Sequence, residues 1–312
     1  MPGKAPRRRP PFIGEVRAGE IAAARLDDAV RRVLRVKLRA HLDSEGRPSA
    51  RPFAGHYELL GAAAHRAVAR QAVRESLVLL KNSDHLLPLS PREQVLVAGD
   101  AADSIARQSG GWTIDWQGTE PNQDFPHAET IYAGIAQCVQ AAGGSATLST
   151  DGGFTSRPEV AIVIFGEHPY AEFQGDVPTL EYSPGDKHDL ALLHRLQAQD
   201  IPVVAVFLSG RPLWVNAELN AADSFVAAWL PGLEGGGVAD VLFRSPEGGV
   251  RYDFRGRLSF SWPASPRPPA VGRRPGERAL FPYGYGLSYG DDGDLPRLPE
   301  SDPGAAPAPA AH

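Results

Sequence analysis

Four short apolar runs constrain what this chain can fold into more than any other feature. They are Gln94–Ala98, Ala161–Phe165, Pro202–Leu208 and Phe225–Leu230. Their length suits strands rather than helices, and their continuity means burial on both faces. Stretches with helical spacing lie between or after them, near 128–142, 187–199 and 237–243. Strands alternating with such helices build βαβ units. The expected fold class is therefore α/β: a mostly parallel, doubly wound sheet with helices on both faces. Residues 256–262 (Gly-Arg-Leu-Ser-Phe-Ser-Trp) are placed as an added edge strand.

Upstream the pattern is helical twice. Leu26, Ala29, Val30, Val33 and Leu34 form one apolar stripe. Asp27 and Asp28 open that helix and Arg31, Arg32, Arg35, Lys37 and Arg39 load its later turns, as the helix dipole favours. A second helix is expected at about 62–81, with Ala69, Ala72, Val73, Leu77 and Leu80 on one face. Before the first helix, Lys4 and Arg7–Arg9 are interleaved with Pro2, Pro6, Pro10 and Pro11, a composition that suits a disordered start, with a nucleic-acid or membrane arm as the other reading. The expected organisation is a disordered start and first helix over 1–45, a linker over 46–60, an α/β domain over 61–289 and a Pro/Ala/Asp tail over 290–312.

The net charge of −5 argues against a nucleic-acid binder, which would carry a strongly basic surface. Cys138 is the one cysteine, so neither an internal disulfide nor a cysteine zinc site is available. No apolar run approaches the roughly 18 residues of a membrane span, and no signal-peptide core follows Met1. The compartment is left open. His188 and His194 share no ligand spacing with an acid, and no metal site is expected.

In an open α/β sheet, ligands bind beyond the carboxyl ends of the strands. Three such exits stand out. Gly166-Glu-His-Pro-Tyr-Ala-Glu-Phe-Gln-Gly-Asp176 follows the strand ending at Phe165 and carries Glu167, His168, Glu172 and Asp176 beside two aromatic residues. Aromatic surroundings raise a carboxyl's pKa and make it a general acid; a solvated acidic loop is the other reading. Gly110-Gly-Trp-Thr-Ile-Asp-Trp-Gln-Gly118 holds two Trp among glycines, suited either to sugar stacking or to plugging the core. Pro231-Gly-Leu-Glu-Gly-Gly-Gly237 precedes a helix and offers a phosphate cradle or a structural turn; it matches neither dinucleotide nor P-loop patterns. Ser209-Gly-Arg-Pro212 lacks the setting of a hydrolase nucleophile elbow.

Taken together these motifs resemble glycoside hydrolase family 3, in the branch of bacterial β-glucosidases and plant-type exo-β-glucan hydrolases. The likeness rests on Ala24-Arg-Leu-Asp-Asp-Ala-Val-Arg-Arg-Val-Leu-Arg-Val-Lys37, on His65-Arg-Ala-Val-Ala-Arg-Gln-Ala-Val-Arg-Glu-Ser-Leu-Val-Leu-Leu-Lys-Asn82 and on Gly111–Gly118. It continues through Gly166–Glu172, Ala227-Ala-Trp-Leu-Pro-Gly232 and Phe281-Pro-Tyr-Gly-Tyr-Gly-Leu287. The resemblance implies an α/β sandwich from about residue 60, preceded by the last helix of a (β/α)₈ barrel. It implies Glu172 as general acid/base and Trp116 as a wall of the sugar cleft, with Trp112 the more buried of the two rings. The substrate would be a β-glucoside or β-glucan oligosaccharide, with no cofactor, metal, nucleic acid or membrane involved. The family's nucleophile is an aspartate in a Ser-Asp-Trp type barrel motif, and this sequence has none; Ser83-Asp84-His85 sits in the wrong domain. The expected partner is thus the missing barrel. Rival readings are a non-catalytic carbohydrate-binding remnant and, from Gly232–Gly237 alone, a nucleotide or small-molecule binder.

Overall fold

The computed structural model describes residues 12–267 and 279–302. Residues 1–11 of the expected disordered start and the tail's last part, 303–312, lie outside the described residues, and the rest of that start holds a short helix at Phe12–Arg17. The chain divides into two compact units, Met1–Leu60 and Gly61–His312.

The first unit contains α1 (Phe12–Arg17) and α2 (Ala23–Arg39). The stripe expected from the sequence lies in α2, and Arg32 donates to Asp28 at 2.9 Å one turn back. No described residue of this unit is buried; Val33 is 57% exposed.

The second unit runs α3 (Ala63–Ser76), β1 (Val78–Asn82), β2 (Gln94–Ala98), α4 (Ile105–Ser109), α5 (Ile131–Ala141), β3 (Ser145–Leu148) and β4 (Val160–Gly166). It continues α6 (His188–Gln197), β5 (Val203–Leu208), α7 (Asn216–Asn220), β6 (Ser224–Trp229), α8 (Gly236–Leu242), β7 (Trp262–Pro263) and β8 (Ala279–Phe281). Six strands form one sheet in the order β1-β6-β5-β4-β2-β3, parallel throughout except for β1 against β6. Strand residues alternate strictly between two cores. Val95, Val97, Ile162, Ile164, Val204 and Val206 meet α3, α5 and α8 on one face. Ala161, Val163, Phe165, Ala205, Phe207 and Phe225 meet α6, α7 and the β7–β8 hairpin on the other. The doubly wound, mostly parallel sheet read from the apolar runs is the observed fold.

Several boundaries differ from the sequence reading. The second helix stops at Ser76, because Leu77, Val78, Leu79 and Leu80 are all fully buried, which one helix face cannot provide. A strand can: Leu77 and Leu79 enter one core while Val78 and Leu80 enter the other. The short edge strand β3, with alternating exposure, was missed altogether. Of the expected edge strand 256–262 Trp262 lies in a strand, paired with Phe281, and Leu258 bonds the backbone of Gly284 and Tyr285. Residues 290–302, expected to lack a core, are tied down. Gly293 pairs with Asn82, Leu295 and Leu298 pack on the second core, and Asn220 bonds Leu298 through both side-chain groups at 2.9 Å.

The glycine turn before α8 is structural. A Cβ on Gly235 would lie 2.5 Å from the Ile131 backbone nitrogen, and one on Gly134 would lie 2.4 Å from Gly236 Cα, so α5 and α8 touch backbone to backbone. Glu129 accepts from Gly236 N–H at 3.2 Å, placing the protein's own carboxylate where a bound anion would sit. Arg70 on α3 locks this corner, donating to Glu129 at 2.9 Å and to both oxygens of Asp240 at 2.7 and 3.0 Å.

From β2 the chain moves outward to β3, then returns to β4 on the other side of β2. The topological switch point, where ligands of such sheets bind, therefore lies at the carboxyl ends of β2 and β4.

Candidate active site

Two loops leave those strand ends and pack against each other. The first follows α4, whose N-terminus is capped by Ser104 and whose C-terminus turns at Gly110 with φ +73°. It closes on itself through Trp112 N–H donating to the Trp116 carbonyl at 3.0 Å, and Asp115 accepts from Trp116 N–H at 2.6 Å. The second is the acidic loop after β4. The backbones meet without room for side chains: a Cβ on Gly111 would lie 2.0 Å from the Tyr170 carbonyl oxygen, and one on Gly118 would lie 2.4 Å from Pro169 Cβ. Gln117 spans the junction. Its carbonyl accepts from Ala171 N–H at 2.7 Å and its amide donates to the Glu172 carbonyl at 3.0 Å.

This junction brings Glu172 and Trp116 together. The indole N–H of Trp116 donates to Glu172 Oε2. Around the carboxylate stand Trp112, 69% exposed, Trp116, 41%, and Phe173, 76%. Trp112 and Trp116 have ring centroids 6.2 Å apart, and Phe173 meets Trp116 edge-on at 6.0 Å. Trp112, Ile114 and Phe173 all adopt left-handed backbone, with φ between +60° and +71°. Such strain on bulky residues costs of order 1–3 kcal/mol each and concentrates at working sites.

Two expectations are corrected. Trp116 is the more enclosed of the pair and Trp112 the more open, because the Glu172 bond and the Phe173 edge pin Trp116 down. The Glu172 carboxyl is held below the ordinary glutamate range. The Trp116 indole N–H is the main cause, and the residue's own backbone N–H also favours the anion. Aromatic rings alone would disfavour the charged form through burial, but here they leave the carboxylate exposed and give it donors.

The other acidic-loop residues separate into different roles. Glu167 points inward: Arg211 donates to its Oε1 from Nε at 2.9 Å and Nη2 at 2.6 Å, and the Ser209 and Tyr170 hydroxyls lie 2.6 and 3.1 Å from its Oε2. Burial, then Glu167, pushes the Tyr170 hydroxyl up to about 12. His168 and Glu120 face each other at 3.7 Å, both exposed, and Asp176 is exposed too. Sequence reasoning missed Gln117 and Arg211. Both stood in quoted motifs, but their reach across loops has no signature in local spacing.

A cavity of about 450 Å³ opens at the switch point, lined among others by Asp100, Arg107, Tyr182, Asp189 and Arg211 but by neither Glu172 nor Trp116. Its floor is ordered: Arg107 donates to the Gly166 carbonyl at 2.7 Å and pairs with Asp100, and the Tyr182 hydroxyl lies 2.6 Å from Asp189 Oδ2. Among the described residues no three His, Cys, Asp or Glu side chains are grouped to hold a metal ion.

Residues 77–289 match the glycosyl hydrolase family 3 C-terminal domain, and the chain belongs to that family. It is 52% identical in sequence to an exo-1,3/1,4-β-glucanase from a Pseudoalteromonas species, with a TM-score of 0.85 over 93% of this chain and 37% of that one. It is 30% identical to a lysosomal β-glucosidase of Dictyostelium discoideum over 88% of this chain. A periplasmic β-glucosidase of Salmonella typhimurium is also 30% identical over 88% of this chain. The chain spans 35% and 42% of the lengths of those two relatives.

Proposed function

We propose that this chain supplies the general acid/base, Glu172, and an aromatic wall, Trp116, of a retaining, exo-acting β-glucosidase. Its substrates would be terminal β-D-glucosyl residues of β-glucans and cello-oligosaccharides. The reading is carried by the direct bond between the Trp116 indole and the Glu172 carboxylate on an exposed, strained aromatic surface. Polar recognition beside a stacking face suits a sugar ring. The names of the relatives, β-glucosidases and an exo-β-glucanase, agree with it.

In this reading an aspartate on a (β/α)₈ domain, outside these 312 residues, attacks the anomeric carbon while Glu172 gives its proton to the departing glycosidic oxygen. The bond from carbon to the leaving oxygen breaks as the bond to aspartate forms. Glu172, now a carboxylate, then takes a proton from water as that water displaces the aspartate. The two carboxyl groups of such a pair stand roughly 5–5.5 Å apart. The acid alone contributes about 10²–10⁴-fold, so the isolated chain is expected not to turn over aryl β-glucosides.

The test is Glu172→Gln in a protein carrying a family barrel ahead of Gly19. Glycosylation should slow about 10²–10⁴-fold for cellobiose and little for dinitrophenyl glucosides, whose leaving groups need no proton. The basic limb of the pH profile should vanish with it. Equal losses for both substrates would move the acid elsewhere. The exposed Trp112, Trp116 and Phe173 cluster also favours a second reading, sugar binding without turnover. Binding of glucose or cellobiose by a parent protein that does not turn either over would favour that reading.

A further inference from the structure

The Ser209-Gly-Arg-Pro212 turn after β5 takes no part in the chemistry proposed above, yet its arginine reaches both ends of the loop that bears Glu172. Arg211 Nε and Nη2 bond Glu167 at the loop's start, and Nη1 donates to the Gly175 carbonyl at its end, at 2.5 Å. The guanidinium plane lies over the Tyr170 ring, 4.4 Å from its centroid. Gly175 is pressed so close to that ring that a Cβ would come within 2.5 Å of it. Side-chain exposure is only 14% for Glu167 and 23% for Arg211, so this clip works largely out of water.

We infer that Arg211 is a positioning residue for the acid/base, closing the Glu167–Gly175 arch so that Glu172 at its crest meets Trp116. The inference rests on the reading of Glu172 as the acid. Gln117 grips the crest from the tryptophan loop, but only through the Ala171 amide and the Glu172 carbonyl. It sets the crest's height only while the arch's two feet stay together. A planar fork with several fixed donors can hold a carboxylate and a carbonyl at once and stack on a ring besides. A lysine ammonium is a point charge on a flexible stem and cannot reproduce all three contacts. Pro212 follows directly, and the Ser209 hydroxyl lies 2.7 Å from the Arg211 carbonyl while accepting from Arg211 N–H at 3.2 Å. The turn thus holds its own backbone before it reaches outward.

The experiment uses the 312-residue chain, with nitrogen-labelled indoles and carbon-labelled glutamate carboxyls followed by NMR. In Arg211→Met the Trp116 indole N–H should lose its hydrogen-bond shift, and the Glu172 titration should move up toward that of an ordinary exposed glutamate. Arg211→Lys should lie between Met and the parent. Circular dichroism and the melting curve of the same samples report the fold, and a lowered melting temperature with an unmoved Glu172 titration means a merely structural role. An indole signal and titration identical to the parent in Arg211→Met overturn the inference. Should that variant not fold, Arg211→Lys and Glu167→Gln carry the test: the same direction of change supports it, and parental behaviour in both overturns it. These readouts do not depend on what Glu172 does. Loss of the leaving-group dependence at Glu172→Gln would overturn the acid assignment and leave the clip standing.

Discussion

Glu218 ties the stability of the sandwich to pH through one side chain. It lies in α7, 2% exposed, and its Oε1 has no hydrogen-bond partner among the described residues. Burial is the largest influence and pushes its carboxyl from 4.5 up to about 7; its own backbone N–H and Lys187 oppose this, while Asp189 and Glu181 add to it. A rise of about 2.5 pH units, at about 1.36 kcal/mol for each, corresponds to roughly 3 kcal/mol. The folded protein keeps this proton where the unfolded chain has lost it, so stability falls as pH rises through the window from 4.5 to about 7. Below that window the penalty is absent, and above it the loss is complete. Glu218→Gln stays neutral at every pH. It should match the parent closely near pH 4.5 and exceed it by roughly 3 kcal/mol at pH 8. For a domain of this size that is about 6–12 °C in melting temperature. Urea unfolding of both proteins at about pH 4.5, 6 and 8 measures the difference, in which the other titrating groups cancel. A constant gap across pH, or a glutamine variant less stable at the alkaline end, would refute the reasoning.

Asp240→Ala should cost about 3 kcal/mol, the lower end for breaking a buried pair, since Arg70 and Arg74 keep 27% and 20% side-chain exposure and can turn to water. Burial works to raise the Asp240 carboxyl, but Arg70, Arg74 and Arg251 outweigh it and hold it below the usual range. Its contribution is therefore present at neutral pH and lost as pH falls through that depressed value, so the gap measured by urea unfolding should narrow in acid. Gly111→Ala should force the two site loops apart, because its Cβ would fall 2.0 Å from the Tyr170 carbonyl. Tryptophan fluorescence should report a changed Trp116 environment while the melting temperature moves little; unchanged emission would contradict the packing.

The sheet was legible because burial on both faces writes continuous apolar runs, and β2, β4, β5 and β6 fall where those runs do. β1 was not, since an apolar run directly after a helix keeps the helix's own composition, and only tertiary burial of Leu77–Leu80 turns it into strand. β3 carries too little apolar character to show, as an edge strand with Ser145 and Thr147 on its exposed side. Glu172 and Trp116 are singled out by the family resemblance, and their pairing across 56 residues is a property of the fold. Of the two readings of the acidic loop, Glu172 follows the solvated one, exposed and with a donor beside it. Rings near a carboxylate in sequence say nothing of whether they cover it or offer it an N–H.

That shift also divides labour within the proposed enzyme. A general acid must carry its proton when the glycosidic oxygen departs, yet in this chain the Trp116 indole N–H shifts the Glu172 carboxyl downward, toward the anion. The donors responsible, Trp116 and Trp112, belong to the chain, and so does the exposure that keeps burial from opposing them. Covering the surface with a second domain and a sugar would remove water from the carboxylate, and desolvation disfavours its charged form. The covering surface would also bring the nucleophilic aspartate, whose negative charge acts in the same direction while it remains ionised. Once that aspartate is esterified by the sugar its charge is gone and the pull on Glu172 weakens. The Trp116 donor then favours the carboxylate again, which is the form the second step needs. In the proposed enzyme the sandwich would set where Glu172 stands and favour its carboxylate, and the nucleophile's own charge would favour its acid form when an acid is required.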